Sequence, residues 1–98
     1  MTRQVSLLVN DQPVELDYFV QGFIDHTISG MLASLKGTGE IKSVDISIEG
    51  DKVTIILNDT LVLTNPFVSK ITRNTIVAMI SSLKGVGKVN RANVSIKR

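Results

Sequence analysis

Cysteine and tryptophan are both missing from the 98 residues, and there is one histidine, one tyrosine and three phenylalanines. Each shortage removes a class of chemistry. Without cysteine there are no disulfides, no thiolate metal sites and no cysteine nucleophile. Stable disulfides mark oxidising compartments, so the expectation is the reducing cytoplasm. The lone His26 stands between Asp25 and Thr27 with no second imidazole or thiolate to complete a ligand set. It reads as a solvated or capping helix residue, and no metal or cofactor is expected. An aromatic content of 4% leaves no ladder of rings for stacking bases. Long apolar runs are missing too. None approaches the roughly 18 residues of a membrane span, and the short apolar stretch after Met1-Thr2-Arg3-Gln4 does not match a secretory leader. The expected chain is soluble, with no membrane partner.

What is present suits a folded globule: 43% apolar and 20% charged residues. The length allows one domain, residues 1–98. Net charge is +2, but it is unevenly spread. Residues 1–52 carry four Lys/Arg against eight Asp/Glu, and residues 53–98 carry seven against one, Asp59. Such a dipole bears on partners rather than on fold.

Shifted by 48 positions, the chain matches itself without a gap, with 16 identities in the 46 pairs from 5/53 to 50/98. Val5-Ser6-Leu7-Leu8-Val9-Asn10-Asp11 falls on Val53-Thr54-Ile55-Ile56-Leu57-Asn58-Asp59, and Ser34-Leu35-Lys36-Gly37 on Ser82-Leu83-Lys84-Gly85. This reads as an internal duplication with units 5–50 and 53–98. Each unit parses as strand, Asn-Asp turn, strand, helix, strand. The first strands fall at about 4–9 and 52–57, the second at about 13–16 and 61–64. Asp17 and Asn65 are N-cap residues, and Pro66 suits the first helical position. The helices are expected to run to about Lys36 and Lys84, with Gly37 and Gly85 able to take the left-handed conformation that ends a helix. Their apolar positions are Val20, Phe23, Ile24, Ile28, Met31, Leu32 and Leu35, then Val68, Ile71, Ile76, Met79, Ile80 and Leu83, read as one buried face each. Val44, Ile46 and Ile48 alternate with polar residues, as do Ala92, Val94 and Ile96, so each last strand has one buried face. Gly50-Asp51 reads as a hairpin turn joining the units. The expected fold is α+β: two tandem ββαβ repeats forming a mostly antiparallel sheet of about six strands, with two helices on one face.

Leu83-Lys84-Gly85-Val86-Gly87 followed by Ala92 resembles the Leu-Pro-Gly-Val-Gly-x-x-x-Ala hairpin of helix–hairpin–helix proteins, which grip a DNA backbone. Lys84 stands at the proline position, and the following segment alternates like a strand where that motif has a helix. The simpler reading is a helix end and a glycine-hinged turn. The β-α-β pattern and the Leu-Lys-Gly helix ending resemble heavy-metal-associated domains, part of a helix-to-strand pattern common to ferredoxin-like folds. The metal site of that family is Cys-x-x-Cys, and Gly22-Phe23-Ile24-Asp25 stands in that region here, so the metal function does not carry over.

No paired carboxylates, nucleophile elbow or phosphate cradle is found, and enzyme activity is not expected. Two functional expectations follow. The first is a non-enzymatic interaction module that self-associates, as a homodimer through the sheet's second face or an edge, with Leu8, Ile56, Leu61 and Leu63 as candidate interface residues. The alternative is a sequence-nonspecific nucleic-acid binder using Lys84, Lys88, Arg91, Lys97 and Arg98 against phosphates. The copies also carry opposite charges at matched positions, Asp25 with Arg73, Glu40 with Lys88, and Glu49 with Lys97, as expected if they face one another across a pseudo-twofold axis.

Overall fold

A computed structural model describes residues 4–36, 40–83 and 85–97. The elements are β1 (Gln4–Val9), β2 (Gln12–Val14), α1 (Tyr18–Lys36), β3 (Ser43–Glu49), β4 (Lys52–Leu57), β5 (Thr60–Val62), α2 (Pro66–Ser81) and β6 (Arg91–Lys97). The strands form one six-stranded antiparallel sheet in the order β2-β1-β6-β3-β4-β5.

The hairpins begin in turn chemistry. Asn10, Asp11, Asn58 and Asp59 all have positive φ, between 49° and 67°. Two consecutive left-handed residues match the right-handed twist of flanking strands, and Asn and Asp tolerate that region better than other side chains. Asn58 also reaches out of its turn. Its Oδ1 accepts from the N–H groups of Lys42 and Ser43 at 2.8 and 3.0 Å, and its Nδ2 donates to the Glu40 carbonyl at 2.9 Å. Asn10 does the same 48 residues away. It accepts from Asn90 and Arg91 at 2.8 and 2.9 Å and donates to Lys88 at 2.8 Å. Each asparagine thus ties its own hairpin to the strand beside it. The joining turn has Gly50 at φ +60°, with Glu49 opposite Lys52.

Strand pairing follows the same offset. Gln4 pairs with Lys97 between β1 and β6, and Lys52 with Glu49 between β4 and β3. Leu7 pairs with Val14, and Ile55 with Val62. At the centre, β3 and β6 run antiparallel from Ser43 opposite Lys97 to Glu49 opposite Arg91. The first and last strands of each half therefore have a strand of the other half between them: β6 lies between β1 and β3, and β3 between β4 and β6. Each half closes its sheet only with a strand from the other.

One sheet face is apolar and buried: Val5, Leu7 and Val9, Val44, Ile46 and Ile48, Ile55, and Ala92, Val94 and Ile96. Both helices cover it. Val20 N–H donates to Asp17 Oδ1 at 2.8 Å and Val68 N–H to Asn65 Oδ1 at 2.8 Å, which sets both helix starts. Ile24, Ile28 and Leu32 of α1 and Thr72, Ile76 and Ile80 of α2 are buried at four-residue spacing, a narrow arc aimed at the sheet. The second helix is shorter than expected. It stops at Ser81 with Ser82 as its C-cap, so Gly85, at φ +86°, lies beyond the cap in the following turn. Gly37 and Lys84 lie outside the described residues.

Asp25 is 1% exposed rather than a surface charge, and it accepts from Ser29 Oγ at 3.2 Å. Its counterpart Arg73 sits at the surface, donating to the Gly50 carbonyl at 2.6 Å beside Asp51. The expected facing of opposite charges takes a different form from the matched pairs. Glu49 faces Arg91 rather than Lys97, because antiparallel pairing reverses one strand against the other.

Candidate association surface

The solvent side of the sheet follows from the registers. Across its middle run Ser6, Ser95 and Asp45, then Asn93 and Ser47 beside Leu8; apart from that leucine these are short polar side chains, with Asn93 Nδ2 donating to Ser47 Oγ at 2.8 Å. A shallow trough of about 410 Å³ lies between Leu8, Asp11, Glu49 and Arg91. Leu8, Ile56 and Leu61 are all exposed, as is Leu63 just past β5. They do not form one patch. Ile56 and Leu61 are a cross-strand pair, but Leu8 lies on β1, with β6 and β3 intervening. The edges differ as well. Pro13 in β2 has no N–H to offer, whereas Leu61 fills the matching place in β5.

The candidate cations are also dispersed. Arg91 donates to Asp11 and faces Glu49. Lys97 ends the same strand, roughly 20 Å away at about 3.3 Å per residue. Lys88 is exposed in the loop before β6. Lys84 and Arg98 lie outside the described residues.

The outer face of the helix layer has a different character. Every aromatic side chain of the protein is there and exposed: Tyr18 at 84%, Phe19 at 74%, Phe23 at 54% and Phe67 at 69%, with Ile71 at 48%. Phe23 and Ile71 were expected in the buried arc. In a helix each residue advances about 100°, so a side chain next in sequence to Ile24 or Thr72 points well away from the sheet. Phe19 and Phe23 touch as a tilted pair, centroids 6.2 Å apart. They wall a groove of about 410 Å³ with Val20 and Ile24, whose other side is Ala78, Met79, Ser82 and Leu83. The start of α1 therefore lies beside the end of α2, and the helices run antiparallel.

The exposed polar side chains of the two helices include His26, Lys70, Asn74 and Ser81, and two serines fold back onto their own helices. Ser34 Oγ donates to the Gly30 carbonyl at 3.1 Å and Ser82 Oγ to the Ala78 carbonyl at 2.9 Å. Among the described exposed residues of the two helices, Lys70 alone carries a full charge. An outer helix face facing water is normally lined with charges. No helix among the described residues is long and apolar enough to cross a membrane. Comparison of the chain with protein-family models, with curated proteins and with solved structures finds no match.

Proposed function

We propose that the chain is a non-enzymatic association module that forms a homodimer, and that its contact surface is the outer face of the helix layer. The exposure of all the protein's aromatic side chains on this charge-poor face carries the reading. From their fractional exposures and about 200 Å² per large side chain, the five side chains from Tyr18 to Ile71 offer on the order of 600 Å², against roughly 800 Å² per partner in a standard interface. That is at the upper end of the largest apolar patch on a typical monomer, and patches of that size are often functional. The sheet face is the weaker surface because a polar band of Asp45, Ser47, Asn93 and Ser95 divides its leucines and isoleucine.

Light scattering during size-exclusion chromatography tests this, with refractive index reporting mass because the chain has a single tyrosine and no tryptophan. The expected result is twice the 10.7 kDa chain mass in both low and high salt, since the contact surface has almost no charge to screen. A monomer at every concentration contradicts the proposal. Nucleic acid absorbing at 260 nm, bound in low salt and shed in high salt, favours the basic residues instead.

A further inference from the structure

The helix layer is self-complementary in relief. The exposed side chains near the starts of α1 and α2 are large: Phe19 and Phe23, then Phe67, Lys70 and Ile71. Those near the ends are small: Gly30, Ala33 and Ser34, then Ala78, Ser81 and the capping Ser82, with His26 and Asn74 at the middle of each helix. Phe19 and Phe23 lie beside Ala78 and Ser82 across the groove, and antiparallel helices of this kind set Phe67 and Ile71 toward the Gly30 and Ser34 end of α1. Ridge and hollow alternate over the face, and a second copy laid face to face about a twofold axis parallel or perpendicular to the helices sets every ridge over a hollow. Twofold interfaces require this kind of self-matching surface. We infer that the partner is a second copy whose aromatic ridges seat in the hollows floored by Gly30 and Ser34 and by Ala78 and Ser82. This rests on the association reading above and adds the fit that makes the dimer specific and closed.

The hollow floors give a test in which size and greasiness predict opposite results. A Cβ built on Gly30 meets nothing within 4 Å, and Ala78 is exposed, so Gly30→Phe and Ala78→Phe leave the folded chain room. Both make the face more apolar. If ridges seat in hollows, each bulky side chain blocks two equivalent contacts and raises the dimer Kd by about a hundredfold or more. Circular dichroism and the melting temperature of the variants check that the fold is retained. In sedimentation velocity across a concentration series, a dimeric wild type with both variants shifted to monomer is the expected result. A dimeric wild type with variants dimerising as tightly or more tightly overturns the ridge-and-hollow fit but leaves self-association standing. A wild type that never dimerises overturns both.

Discussion

Asn58 makes three hydrogen bonds to the backbone of the segment entering β3 while holding a left-handed turn. Asp59 holds the same conformation from an exposed position and ties to nothing comparable. Substitutions at these neighbours therefore behave oppositely. Asn58→Ala removes all three bonds and the polar side chain that makes a left-handed φ of 49° tolerable, and should cost about 2–3 kcal/mol in urea unfolding. Asp59→Gly relieves the positive φ and should be neutral or stabilising by up to about 1 kcal/mol. Equal losses at both positions would show that the turn, rather than the bridging side chain, is what matters. The turn was legible in the repeated Asn-Asp pair. The bridge was not, because it joins residues 15 to 18 apart at Asn58 and 78 to 81 apart at Asn10, and nothing in the sequence fixes which strand lies beside the turn.

Each helix has two faces of different purpose. Ile28 and Ile76 are 0% exposed against the sheet, and Phe23 and Phe67 point away from it. Ile28→Ala should cost about 2–5 kcal/mol in the folding of a single chain. Phe23→Ser should cost within about 0.5 kcal/mol when measured on protein dilute enough to be monomeric, as surface changes usually do. A large loss at Phe23 in dilute protein would mean that it supports its own core. The helices themselves could be read from Asp17, Asn65 and Pro66, and the alternation of β3 and β6 gave their buried face directly. The outward aromatics could not be separated from the core by pattern. Apolar residues at 20, 23, 24, 28, 31, 32 and 35 span about half the helix circumference, so periodicity does not say where the buried arc ends. The contrast in charge was available. Between Tyr18 and Lys36 the acidic or basic residues are Asp25, His26 and Lys36 alone, too few to coat an outer face.

At the scale of the molecule, the central strands β6 and β3 come from opposite halves, so neither half closes its sheet without the other. Two antiparallel helices lie side by side on that sheet, and the sequence of each grades from large exposed side chains at its start to small ones at its end. The strand order depends on which of several antiparallel pairings is best, a question of long-range packing that local sequence leaves open. The claim that the helix layer, and not the sheet, joins two copies is tested most directly by comparing Phe19→Ser/Phe67→Ser with Leu61→Ser/Leu63→Ser in light scattering. The account predicts a monomer from the aromatic pair and an unchanged dimer from the leucine pair, with both variants folded. A dimer that survives loss of the phenylalanines and falls apart with the leucines would contradict it and place the interface at the β5 edge of the sheet.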